Sequence, residues 1–158
     1  MTERAVQLVL YSRFSRAGHR IFVPNIMLYA GCESDLISVM KSGRVCEFEI
    51  KLTVADFKNN HKKRRFNHVG DLMGGPNYFY YVVPTAMVGK VTVPAYAGLI
   101  EVVGETNARY VNVVKKPPLR QAEVIGEKTM DKIMTSLSYR FMSRLVADYV
   151  DGKENALD

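Results

Sequence analysis

Apolar and polar positions along the 158 residues form short blocks whose period changes several times. Residues 3–16 (ERAVQLVLYSRFSR) bring Ala5, Leu8, Val9 and Ser12 to one face at helical steps. Leu10 and Phe14 broaden that face, and Gly18 stops the helix. The next run, RIFVPNIMLYA, is rich in β-branched and aromatic residues, and Pro24 confines it to an edge strand or a broken one. Residues 35–40 (DLISVM) and 44–51 (RVCEFEIK) read as strands joined by the tight turn Lys41-Ser42-Gly43, so 35–51 form a hairpin. Thr53 with Asp56 three residues later has the form of a capping box, the carboxylate being shorter than the usual Glu or Gln. It opens a helix to about residue 68, followed by a loop carrying Gly70, Gly74, Gly75 and Pro76. Three more strands are expected at 78–83 (YFYYVV), 98–103 (GLIEVV) and 110–114 (YVNVV).

From about 128 to 150, Met130, Ile133, Met134, Leu137, Phe141, Leu145 and Tyr149 recur at three- and four-residue steps. This is an amphipathic helix whose stripe suits core packing or a homodimer surface. The order is helix, three strands, helix, strand, two further strands, helix. It predicts an α/β fold in one domain over 1–158, a mixed sheet flanked by helices.

Composition changes this picture little. Apolar residues at 47% and charged residues at 24% are ordinary for a folded domain. The start MTERAVQLVLYSRF lacks the charged start, continuous apolar run and cleavage site of a signal peptide, and no run approaches the ~20 apolar residues of a membrane span. A soluble, cytoplasmic protein with no membrane partner is expected. Cys32 and Cys46 have no metal-binding spacing and read as free thiols in a reducing compartment. His19, His61 and His68 form no zinc pattern.

Charge is more informative in its distribution than in its net value of +6. Residues 58–65 (KNNHKKRR) hold Lys58, Lys62, Lys63, Arg64 and Arg65 with no acid among them. Such a cluster suits a polyanion such as DNA, and also suits a solvated helix face. Helical spacing favours Lys58, Lys62 and Arg65 as one side.

The hairpin carries the candidate chemistry. Strand alternation separates Cys46, Phe48 and Ile50 from Glu47, Glu49 and Lys51. A turn centred on Ser42 sets Asp35 opposite Glu49, roughly 5 Å away across the strands. Two carboxylates that close repel unless a cation lies between them. Mg²⁺ or Mn²⁺ suits such a pair, with the main-chain carbonyl of Ile50, waters and a substrate phosphate completing the shell. Lys51 then orients or deprotonates a water and offsets phosphate charge. By spacing alone, the same residues also suit a surface hairpin with cross-strand ion pairs.

Asp35…Glu49-Ile50-Lys51 resembles the D…(D/E)xK signature of the PD-(D/E)xK nuclease superfamily. The run Glu49–Phe57 (EIKLTVADF) resembles the EVKSSxxDF stretch of the MmcB-like DNA repair proteins in that superfamily. Lys62 or Lys63, the aromatic strand YFYYVVP and VPAYAGLIEV are similar to further features of that family, so the likeness covers roughly residues 30–145. Ser34 stands where the signature often has proline. The resemblance implies a restriction-endonuclease-like αβββαβ core, with Asp35 and Glu49 as metal ligands and Lys51 as the catalytic lysine. Some members add a carboxylate from the first helix, where only Glu3 is available. Glu33 is a candidate to support the ligands, and Glu47 a supporting or solvent-facing group.

The leading expectation is therefore a Mg²⁺- or Mn²⁺-dependent DNA endonuclease that hydrolyses phosphodiesters in repair or on branched DNA. The alternative is a catalytically silent DNA-binding or protein-interaction module with the same fold.

Overall fold

The computed structural model describes residues 1–29, 32–59, 75–104 and 109–154. The chain divides into two compact units, Met1–Ile125 and Gly126–Asp158. The first opens with helix α1 (Glu3–Ser15), capped by Thr2, whose Oγ1 accepts the Ala5 N–H at 3.4 Å. Glu3 in the first turn meets the positive end of the helix dipole. Gly18, at φ +91°, follows the helix in a conformation that a side chain disfavours. The buried stripe is Val6, Leu10 and Phe14 rather than the expected Ala5, Leu8, Val9 and Ser12, and Leu8 is 62% exposed. The stripe follows the aromatic packing beneath it: the Phe14 ring lies 5.0 Å from Phe48 and 6.3 Å from Tyr80.

Six strands form one mixed sheet in sequence order: β1 (His19–Tyr29), β2 (Cys32–Met40), β3 (Val45–Ile50), β4 (Tyr78–Pro84), β5 (Gly98–Val103) and β6 (Tyr110–Lys115). Strands β1 to β3 run antiparallel, β3 to β5 parallel, and β6 antiparallel to β5. Pro24 lies on the edge strand β1, where its missing N–H costs no ladder bond on the open side. A parallel pair needs a crossover. Helix α2 (Val54–Asn59) lies between β3 and β4, and a 3₁₀ helix (Thr85–Lys90) between β4 and β5. The expected continuation of α2 towards residue 68 lies outside the described residues.

This is an α/β architecture, a six-stranded mixed sheet with helices and a C-terminal helix, consistent with a restriction-endonuclease-like fold. One core joins the α1 stripe to Leu36, Cys46, Phe48, Ile50, Val82 and Ile100. A second gathers Phe57 of α2 and Met87 of the 3₁₀ helix against Phe79, Tyr81, Val83 and Leu99. Asn77, itself buried, accepts the Val45 N–H at 2.7 Å and donates to the carbonyls of Gln121 and Glu123 at 2.9 and 2.6 Å. It ties the start of β3 to the segment after β6 without an unpaired buried group.

The second unit contains α3 (Glu127–Glu154), which exposes Met134, Tyr139, Phe141, Met142, Leu145 and Val146. No helix among the described residues is long and apolar enough to cross a membrane.

Close approach requires glycine at the start of β5. A Cβ at Gly98 would stand 2.6 Å from Tyr80 Cδ1 and 2.8 Å from the Lys115 carbonyl oxygen. Gly98→Ala must therefore move a ring and a neighbouring strand, and should destabilise the fold by about 1–3 kcal/mol in urea titration. A midpoint equal to the parent's would show that β5 and β6 separate freely.

Candidate active site

Strand β3 is central and buried along its whole length, so every side chain of VCEFEI needs a place in the interior. Alternation gives the α1 core Cys46, Phe48 and Ile50. Glu47 and Glu49 alternate with them. Their neighbours across the parallel pairing are Phe79 and Tyr81 of the second core. Two glutamates thus enter an apolar layer, where ionised groups persist only with partners.

The antiparallel register sets Leu36 opposite Phe48 and Ile37 opposite Glu47. One further step of that register sets Asp35 opposite Glu49, as the turn centred on Ser42 predicts. Asp35 Oδ2 accepts the Ile50 N–H at 2.6 Å. Glu49 is fully buried, and its Oε1 lies 2.9 Å from Lys51 Nζ. Lys51 is only 3% exposed, and a second carboxylate, Asp56 Oδ2, stands 3.6 Å from the same nitrogen. Thr53 Oγ1 caps α2 through the Asp56 N–H at 3.1 Å, which holds this acid at the helix start. Asp56 was legible in the sequence only as part of a cap. Its approach to Lys51 depends on how α2 leaves β3.

Burial pushes the Asp35 carboxyl up to about 7, and the neighbouring Glu49 adds to the rise. The Ile50 N–H bond and Lys51 oppose it, and Glu3 adds a smaller upward push. The acids therefore outweigh the single buried amine. Glu47 does not face solvent: it is 1% exposed and accepts from Ser34 Oγ at 3.0 Å. Burial, and then Glu47, push the Tyr29 phenol upward.

A polar cluster at the start of α1 adjoins this group. Gln7 Nε2 donates to the Asp35 carbonyl at 2.8 Å and lies 3.0 Å from both Glu3 Oε1 and Asn25 Oδ1. Asn25 Nδ2 reaches Glu3 Oε1 at 2.9 Å and Glu33 Oε1 at 3.3 Å. Asn25 holds φ +48°, a left-handed conformation that Asn tolerates better than most side chains. Gln7 and Asn25 are absent from the sequence-based site. Their signals are a polar residue interrupting the apolar run of α1 and an Asn directly after Pro24.

Asp35, Glu49, Ile50 and Lys51 thus come together, and Glu33 lies at the exposed rim. Lys58 is exposed on α2. Lys62, Lys63, Arg64 and Arg65 lie outside the described residues. Among the described residues, no group of three or more His, Cys, Asp or Glu side chains is arranged to hold a metal ion. The Asp35–Glu49 pair matches the one or two carboxylates that Mg²⁺ takes from protein. Burial first, and then repulsion from Glu49, raise the Asp35 carboxyl, and a cation between the two carboxylates would relieve the second of these. Ile50 meets Asp35 through its N–H.

No family model matches the chain, and no curated protein matches it. Among solved structures, it is similar to SPO1766, a protein of unknown function from Silicibacter pomeroyi. The TM-score is 0.67 at 15% sequence identity, covering 89% of this chain and 88% of that one. At that identity the likeness shows the fold alone.

The raised Asp35 carboxyl makes stability depend on pH. The folded chain keeps a proton on Asp35 between its ordinary value of 3.8 and about 7, where the unfolded chain has lost it. Without metal, stability should fall as pH rises through that window, by up to about 4 kcal/mol from this group. Asp35→Asn should flatten the fall and exceed the parent in stability at pH 8. Urea midpoints measured across the window check this. An unchanged slope in the variant would assign the dependence to other groups.

Proposed function

We propose that this protein is a Mg²⁺- or Mn²⁺-dependent DNA endonuclease of the PD-(D/E)xK type, akin to the MmcB-like DNA repair proteins and acting in the cytoplasm. The observation that carries the reading is the buried Glu49–Lys51 pair at 2.9 Å beside an Asp35 whose carboxyl is pushed up to about 7. Burying an ion pair seldom stabilises a fold, and burying an excess acid beside it is costly. Such an arrangement suits a site that receives a cation.

Asp35 and Glu49 would hold that cation. When bound, it supplies Lewis acidity that offsets charge developing on the scissile phosphate. Lys51, fixed between Glu49 and Asp56, positions the attacking water and donates to a phosphoryl oxygen. The Ile50 N–H fixes one oxygen of Asp35, and Gln7 restrains the Asp35 main chain. Ser34 fixes Glu47 beneath the site. Lys58, with Lys62, Lys63, Arg64 and Arg65, supplies sequence-independent contacts to the DNA backbone.

The exposed apolar residues of α3 support a homodimer formed through that helix. An antiparallel pairing centred on Val146 sets Arg144 of each copy beside Asp148 of the other. The two already pair within one helix at 3.8 Å. Phe141→Asp should shift sedimentation towards the monomer. A parent that sediments as a monomer at all concentrations would exclude the dimer.

Linear, nicked, flapped and four-way DNA incubated with Mg²⁺ or Mn²⁺ tests the activity. Cleavage should require metal, and Asp35→Asn or Glu49→Gln should abolish metal binding in calorimetry. Lys51→Ala should retain metal and DNA binding but lose about 100-fold or more in rate. DNA binding without cleavage by the parent would leave the silent DNA-binding module as the reading.

A further inference from the structure

A cleft of about 380 Å³ opens between α1 and β1, a volume within the small-ligand range. Its apolar wall includes Leu8 and Tyr11 of α1, 62% and 53% exposed, and Phe22 of β1. The Tyr11 and Phe22 rings meet edge to face at 5.1 Å, leaving Tyr11 with open surface. Arg4 and Arg20 also line the cleft, and no acidic side chain does. Among the described residues, neither arginine has an ion pair or hydrogen bond with the chain. Gln7 lines the cleft and its Nε2 donates to the Asp35 main-chain carbonyl at 2.8 Å, so one side chain touches both the cleft and the strand that carries Asp35.

We infer that this cleft is a nucleotide subsite, in which one unpaired DNA base stacks on Tyr11 while the flanking phosphates bind Arg4 and Arg20. An exposed aromatic ring beside unpaired guanidinium groups is the chemistry that holds single-stranded nucleic acid: every base has a face to stack, and every nucleotide has a phosphate. A lipid or peptide would need neither this combination nor an acid-free rim. A base within a duplex is stacked on both sides and cannot enter. The subsite therefore selects DNA with a single-stranded segment, such as a flap, a frayed end or a branch. The inference rests on the nuclease reading for the cut itself, but binding can be measured without it.

The experiment uses the full chain, EDTA to prevent turnover, and a short single strand carrying 2-aminopurine. Binding should change the 2-aminopurine fluorescence and be tighter than for a blunt duplex of the same sequence. Tyr11 is exposed, so Tyr11→Ala should fold normally, abolish the fluorescence change and weaken single-strand binding by ~10-fold, while Tyr11→Phe keeps both. Arg4→Ala and Arg20→Ala should each make the log–log salt slope for single-strand binding shallower by about 0.7. Unchanged single-strand affinity in Tyr11→Ala and in the double arginine variant would overturn the subsite. Cleavage in Mg²⁺ is scored separately. A parent that shows the fluorescence change but cuts no DNA retains the subsite and loses the nuclease reading. A parent that cuts, with binding indifferent to Tyr11, Arg4 and Arg20, retains the nuclease and loses the subsite.

Discussion

Strand β3 has neighbours on both edges and packed layers on both faces, so its side chains are buried along its whole length. Along one face this imposes nothing unusual: Cys46, Phe48 and Ile50 pack beneath Val6, Leu10 and Phe14. Along the other it forces Glu47, Glu49 and Lys51 into the interior, where each polar atom must find a partner. Much around the strand answers that demand. Ser34 turns to Glu47, Lys51 pairs with Glu49, Asp56 comes to Lys51 from the start of α2, and the Ile50 N–H goes to Asp35.

The arrangement separates structural support from chemistry. Aromatic packing holds the strand in place, with Phe48 stacked on Tyr80 at 5.7 Å and Phe57 against Tyr81 at 4.9 Å. Burial by that packing, and then the nearby Glu49, raise the Asp35 carboxyl. A sheet of this kind holds such side chains in fixed positions. The same rigidity extends through Gln7 to the α1–β1 cleft, so the site and its neighbouring surface share one hydrogen-bonded side chain.

The helix α3 follows a different logic. In a unit of its own, it carries apolar side chains at helical steps, and many of them are exposed. Strand β3, by contrast, has its coverings within the first unit.

Local sequence pattern, meaning alternation read together with β-branched content and turn residues, determined the strands and the hairpin register, because these are local properties that leave few choices. It also placed Glu49 and Lys51 on one side of a strand, since a period of two admits no other arrangement. It did not determine which stripe of α1 is buried. Ala5-Leu8-Val9 and Val6-Leu10-Phe14 are both apolar at helical steps, and only the rings of Phe48 and Tyr80 choose between them. Nor could it show that Glu47 is buried, because exposure depends on what covers the sheet. Asp56 beside Lys51 and Gln7 beside Asp35 likewise belong to the tertiary structure. Each joins residues from separate elements, and the distance between them is set by packing angles that no local pattern encodes.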